Sequence, residues 1–383
     1  MRTHEAKNYK RPTMQDSHKH PQRSLGLRVG DTVEVRSRQE ILATLDEQAR
    51  LDALPFMPEM LEYCGRRFKV FKSAHKTCDT IEFMGARKLE RTVHLQELRC
   101  SGKSHGGCQA GCLLFWKEAW LKKVDSNADS APAASAANAG CSERQLLAAA
   151  QRTEPTGSDA GEGEVVYTCQ ATELNRASSV LPWWDLRQYV QDVATGNVKA
   201  SALLAALLFR LFRILLRIGA YRALVRAYDA MQKRRGGAPY PFRTGSCEKT
   251  PDQRLDLQSG ELVQAKSQEE ILRTVNRRNR NRGLSFDEEM VRFCGGTYRV
   301  LRRVERIINE RSGKMMTLKG DCVILAGVTC QSQFKDQRLF CPRAIFPYWR
   351  EIWLKRVAPG EGVVAPEISE VRAARADAAP ANR

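Results

Sequence analysis

LRVGDTVEVRSRQEILATLDEQARLDALPFMPEMLEYCGRRFKV, residues 27–70, and LQSGELVQAKSQEEILRTVNRRNRNRGLSFDEEMVRFCGGTYRV, residues 257–300, are two versions of one pattern, and their match decides how the whole chain reads. The correspondence runs without a gap from Leu27–Cys100 over Leu257–Cys330. Within it Gly30, Ser37, Phe56, Glu59, Cys64, Gly65, Val70 and Cys100 recur as Gly260, Ser267, Phe286, Glu289, Cys294, Gly295, Val300 and Cys330. After a slip of three residues, Cys108, Trp116, Glu118, Trp120 and Leu121 recur as Cys341, Trp349, Glu351, Trp353 and Leu354. The chain therefore reads as a tandem duplication. Two long copies separated by an unrelated middle make two domains rather than a stack of short repeats.

Each copy reads as a small α+β domain, an antiparallel sheet or open barrel with short helices. GDTVEVRS alternates as a half-buried strand does, and Ser37 with Glu40 forms the capping box that starts a helix through ILATLD, repeated by Ser267 and Glu270. Pro58–Tyr63 is expected to be a short helix closed by Gly65, and GRRFKVFKSA, DTIEF and RTVHLQEL to be strands. CLLFWKEAWLKKV puts Phe115, Trp116 and Trp120 at helical spacing, which predicts a closing helix. The organisation that follows is a disordered basic N-terminus (1–26), repeat domain 1 (27–124), a flexible Ala/Ser/Gly-rich linker (125–164), a middle region with a basic amphipathic helix (165–246), repeat domain 2 (247–357) and a disordered tail (358–383).

A formal charge of +18 favours anionic partners: nucleic acid, acidic lipid or an acidic protein. The N-terminal stretch lacks an apolar core of signal-peptide length, which predicts a cytoplasmic protein, with a place for peripheral contact at the inner membrane face. Twelve cysteines in that setting read as thiols, core residues or metal ligands rather than disulfides.

Cys100, Cys108 and Cys112 stand in the loop CSGKSHGGCQAGC, whose glycines allow tight turns around an ion. Zinc wants four ligands, so Cys169 is the expected fourth, with Cys78 and His105 as alternatives. An iron–sulfur cluster has acceptable stoichiometry but no matching spacing. The second copy offers Cys322, Cys330 and Cys341, with Ile345 where Cys112 stands, and suggests a degenerate site. Cys64 and Cys294 suit core packing. Cys141, inside the linker, reads as an exposed thiol.

GDTVEVRS resembles the opening of SH3-like barrels of the KOW type, which implies nucleic-acid binding, although the second copy departs from it with GELVQAKS. HGGCQAGCLLFWKEAWLKKV, with LFCPRAIFPYWREIWLKRV in the second copy, resembles an uncharacterised family of bacterial proteins, which implies no activity.

The middle region contains KASALLAALLFRLFRILLRIGAYRALVRAYDAM (199–231), too interrupted by arginine to span a bilayer. At 100° per residue Arg210, Arg213 and Arg217 share one face opposite Leu208, Leu211 and Leu215, a pattern for an anionic membrane surface or for docking on the domains with solvated arginines. Arg277, Arg278, Arg280 and Arg282 in RRNRNR form a second anion-binding candidate. GKSHG (102–106) has the letters of a nucleophile elbow, but QSQFK replaces it in the second copy and no histidine follows His105. The sequence thus reads as a non-catalytic interaction or scaffold protein with a structural metal. An iron–sulfur or thiol-dependent oxidoreductase and a nucleic-acid-binding protein are the alternatives.

Overall fold

The computed structural model describes residues 24–82, 85–124, 140–154, 163–217 and 221–357. The chain is mixed α+β, with several antiparallel sheets and few helices. The terminal segments assigned above to disorder lie outside the described residues, apart from Ser24–Gly26.

Each half carries a five-stranded sheet. In the first the order is Leu113–Lys117, Thr92–Arg99, Arg67–Ser73, Thr32–Val35, Leu121–Lys123. In the second it is Trp349–Arg350, Cys322–Leu325, Thr297–Arg303, Leu262–Ala265, Leu354–Arg356. Every neighbouring pair is antiparallel. Register agrees as well: Val33 faces Phe68 and Val263 faces Tyr298, and a bulge interrupts the ladder at Val70/Lys72 and at Val300/Arg302. Both capping boxes form, at Ser37 with Glu40 and at Ser267 with Glu270. Pro58–Tyr63 is a 3-10 helix, as is Glu288–Phe293.

The tryptophans explain why each sheet holds a core. Trp116, Trp120, Trp349 and Trp353 are fully buried. The indole of Trp120 donates to Thr44 Oγ1 (3.1 Å) and that of Trp353 to Thr274 Oγ1 (3.0 Å), so these two rings enter with their N–H satisfied, whereas the buried indole N–H groups of Trp116 and Trp349 find no protein partner. Phe56 meets Trp120 edge-on at 5.1 Å and Phe286 meets Trp353 at 5.6 Å.

Three local expectations need correction. CLLFWKEAWLKKV is not a helix: Leu113–Lys117 is a strand, Glu118–Trp120 one 3-10 turn and Leu121–Lys123 a further strand. All five residues of Leu113–Lys117 are buried, and on its outer edge the side-chain amide of Gln170 accepts from Phe115 N (2.8 Å) and donates to Phe115 O (2.8 Å). A side chain thus stands in for a missing neighbouring strand. Of DTIEF, the described residues 79–82 form a turn, in which Asp79 Oδ1 accepts from the N–H groups of Ile81 and Glu82, and Phe83 lies outside the described residues; a strand of this region is Lys76–Cys78. Part of the linker is ordered: Ser142 caps the helix Glu143–Ala148, Gln151–Glu154 pairs with Glu164–Tyr167, and Cys141 is buried rather than exposed.

The middle region is anchored to the first half. Ser179–Leu181 pairs with Ala86–Lys88, extending the hairpin begun by Lys76–Cys78 to three strands. Lys76 Nζ meets Asp192 Oδ2 at 2.5 Å, both side chains being almost wholly buried, and His75 Nε2 lies 3.2 Å from the other carboxylate oxygen. Burial pulls the Lys76 ammonium pKa down, and Asp192 opposes that shift. Helices Ala200–Leu216 and Tyr221–Arg234 then form an antiparallel hairpin closed by Phe209, Phe212, Leu216, Val225, Tyr228 and Tyr240. Among the described residues no helix is long and apolar enough to cross a membrane.

Breaking the Lys76–Asp192 pair from one side strands a buried charge. Asp192→Leu is expected to cost about 3–5 kcal/mol in urea unfolding, whereas Lys76→Met with Asp192→Leu recovers most of that loss. A double variant no better than the single one contradicts this. Glu40 and Glu270 give a pH prediction. Burial raises the Glu40 pKa, but the Ser37 hydrogen bonds and Lys122 outweigh it and bring it to about 2. At Glu270 the Lys355 hydrogen bond, then those from Ser267, lower it to about 2. A folded-state pKa below the unfolded one means that this stabilisation is present above about pH 4.5 and is lost as pH falls towards 2. Glu40→Gln with Glu270→Gln should flatten the acid limb of the unfolding temperature; an unchanged slope contradicts the assignment.

Candidate metal centre

The loop from Cys100 to Cys112 is closed by backbone chemistry. Cys100 N donates to Cys112 O (2.8 Å), while His105 N and Gly107 N both donate to Gly102 O (3.2 and 2.9 Å). Gly102 has φ +76°, and a Cβ there would stand 2.2 Å from the Cys108 carbonyl oxygen. Only glycine permits that approach. The turn carries His105 back over Cys100 and towards Glu59, which projects from the first turn of Pro58–Tyr63.

Cys100 Sγ lies 3.2 Å from His105 Nε2 and 3.5 Å from Glu59 Oε1. The Ser104 hydroxyl donates to Glu59 Oε2 and sits 2.9 Å from His105 Nδ1. With the serine proton given to the carboxylate, Nδ1 carries the imidazole proton and Nε2 keeps its lone pair towards Cys100. That is the tautomer of a metal ligand oriented by an outer partner. Candidate ligand atoms of Glu59, Cys100 and His105 all lie within 4.8 Å of one another, the one such group among the described residues.

The site is dry. Burial pushes the Cys100 thiol well above its ordinary pKa, with Glu59, Cys112 and Cys169 adding to the effect. Burial also pulls the His105 pKa down, against the pull of Glu59. Cys112 is raised to about 11 and Cys169 to about 12, chiefly by burial. A nucleophilic cysteine needs a lowered pKa. Here a cation brought among the donors would stabilise the thiolate against burial.

Beside this trio lies a cavity of about 40 Å³, lined by Cys100, His105, Cys108, Cys112 and Cys169 from the first half and middle, and by Ile308, Glu310 and Arg343 from the second. Its volume suits a single ion or water. Cys100, Cys108, Cys112 and Cys169 thus share one cavity, but they do not form the tight group of four expected from the spacing. The trio is Cys100, His105 and Glu59, and Cys108 Sγ instead accepts from Ile308 N (3.4 Å). Glu59 escaped the sequence reading because a carboxylate in a first helical turn explains itself; its recurrence as Glu289 was the available signal.

The second half diverges. Cys322 Sγ accepts from Arg350 (3.3 Å), Cys330 Sγ lies 3.5 Å from Ser332 Oγ, and Cys341 Sγ accepts from Cys78 N (3.0 Å). These cysteines form no group of three close ligand atoms among the described residues. Cys78 belongs to this side, away from Cys100. The hydrogen bond from Cys341, with Arg343 and Arg338, pulls its pKa to about 6 against burial.

The helical arginines face the opposite way from that expected. Arg213 reaches Asp336 at 2.9 Å and covers the Phe242 ring, and Arg210 lies over Trp183 and 3.7 Å from Asp336. Leu208, Leu211 and Leu215 are the exposed residues; Arg217 is exposed as well. Arg277, Arg278, Arg280 and Arg282 are exposed, with Arg282 paired to Asp252 (3.1 Å).

Compared with protein-family models, curated proteins and solved structures, the chain matches none of them.

The loop closure gives a direct test. Gly65 also has positive φ, but a Cβ there meets nothing within 4 Å. Gly65→Ala should cost about 1–2 kcal/mol of backbone strain alone, and Gly102→Ala clearly more, in equilibrium unfolding. Equal costs would mean that the Gly102–Cys108 approach is not a constraint.

Proposed function

We propose that this chain is a non-catalytic interaction protein built from two diverged copies of one α+β module, with a zinc ion held in the first copy. The observation that carries the reading is the convergence of Glu59, Cys100 and His105 in a buried site with a cavity beside it. The donor set supports zinc: a thiolate, an imidazole and a carboxylate together are ordinary zinc ligands, whereas cluster iron is held chiefly by thiolates. Cys112 or Cys169, both lining the cavity, completes the fourth position. The ion would crosslink the loop, the 3-10 helix and the sheet, and so contribute folding free energy rather than a reaction.

The equal strand order and register of the two sheets support the duplication. In this reading the second copy has lost the ligand set: no histidine accompanies Cys330, and Glu289 Oε1 accepts from Phe334 N (2.7 Å). The basic excess and the exposed apolar helix support interaction as the protein's work.

Purified under anaerobic conditions, the protein is expected to be colourless and to hold one zinc per chain. The Cys100→Ala, His105→Ala variant should lack it, while Cys322→Ala retains it. Chelation should lower the unfolding midpoint, since a ligand at a thousandfold excess over its Kd stabilises by about 4 kcal/mol. Iron with visible absorption would favour the oxidoreductase reading, and a metal-free parent would overturn the centre.

A further inference from the structure

The long helix Ala200–Leu216 presents its apolar side outward. Leu204, Leu207, Leu208, Leu211, Ile214 and Leu215 are 48–58 % exposed, and at 100° per residue they cover one arc of about 120°. The opposite side, with Phe209, Phe212 and Leu216, packs on the following helix. An isolated exposed leucine needs no explanation, but six on one stripe do. The apolar surface continues past Leu208 into a groove of about 710 Å³ that includes Phe209, Phe212 and Phe340.

Charge identifies what covers the stripe. Residues 199–235 contain nine Lys or Arg and one acidic residue, Asp229. Asp229 is engaged by Arg243 and by Tyr240 N. Arg210 and Arg213 turn inward, but Lys199, Arg217, Arg222, Arg226, Lys233, Arg234 and Arg235 remain exposed. A second copy would bring a like-charged hairpin against this one, within a chain of formal charge +18. An anionic surface complements it. Trp183, beside Arg210, and Trp184 are also exposed, and indole favours the boundary between headgroup and hydrocarbon.

We propose that the helical hairpin docks on an anionic lipid bilayer, the leucine stripe entering the interface and the exposed arginines and lysines meeting the headgroups. No described helix is long and apolar enough to cross, so the element lies along the surface. This rests on the reading of the chain as an interaction protein and supplies its partner, independently of the metal.

The test is flotation of the full chain with phosphatidylcholine vesicles, with and without phosphatidylglycerol. The parent should float only with the anionic vesicles and be released by salt. Leu204→Glu with Leu211→Glu should reduce partitioning more than about tenfold while leaving the circular dichroism unchanged and the unfolding midpoint little altered, because both side chains are more than half exposed. Arg222→Gln with Arg226→Gln should reduce the preference for anionic lipid. A parent that stays unbound, or a Leu204→Glu, Leu211→Glu variant that floats equally, overturns the proposal. So does a parent dimer that this variant dissociates without any flotation, which would make a second copy the occupant. Metal content measured on the same preparation separates the two readings: zinc without flotation overturns membrane docking alone, and flotation without zinc overturns the metal centre alone.

Discussion

Two backbone N–H groups cross between the halves and end on cysteine sulfur: Cys78 N on Cys341 and Ile308 N on Cys108. Each donor belongs to a hairpin beside its own sheet, and each acceptor to the long loop of the other half, so the halves hold one another reciprocally, as the subunits of a symmetric dimer do. Arg343 reinforces the contact. It is buried, binds Glu310 at 2.7 Å and donates to Thr80 Oγ1 across the junction at 2.9 Å. Cys108 is thus held from the far side, while the loop from Cys100 to Cys112 closes through its own backbone bonds at Gly102 and Cys112. That closure sets the position of His105.

The candidate centre therefore depends on both halves, although its three converging donors come from one. Ile308, Glu310 and Arg343 form the far wall of its cavity and close it from the second half. Burial decides its chemistry. A thiol pushed up by burial makes a poor nucleophile, and the same burial leaves an imidazole neutral with a free lone pair. Both conditions suit a bound cation, which supplies the charge that the surroundings withhold. Arg343 does not oppose it outright, since Glu310 offsets its charge.

Features written in local periodicity and repeated in both halves were legible in the sequence: the opening strands, the Ser37 and Ser267 caps, the 3-10 turn before Cys64. CLLFWKEAWLKKV was not, because a short, wholly buried apolar run has no period of its own. Its strand character comes from pairing with Thr92–Arg99, and Gln170, distant in sequence, satisfies Phe115 on the open edge. The site was half legible. Cys100 and the alternative His105 stand in one glycine-rich loop, but Glu59 joins them only through the tertiary fold. The direction of the long helix was hidden for the same reason: its wheel separates arginine from leucine but cannot say which side meets the body. That is decided by Asp336, more than a hundred residues from Arg213.

The most direct measurement is X-ray absorption at the zinc edge of the protein as isolated, which reads the donor atoms themselves. The account predicts a mixed shell: sulfur at about 2.3 Å together with nitrogen and oxygen at about 2.0–2.2 Å. A shell of four sulfurs would assign the ion to Cys100, Cys108, Cys112 and Cys169 without His105 or Glu59, and the absence of any edge would leave a buried cluster with no metal. Either result contradicts the centre described.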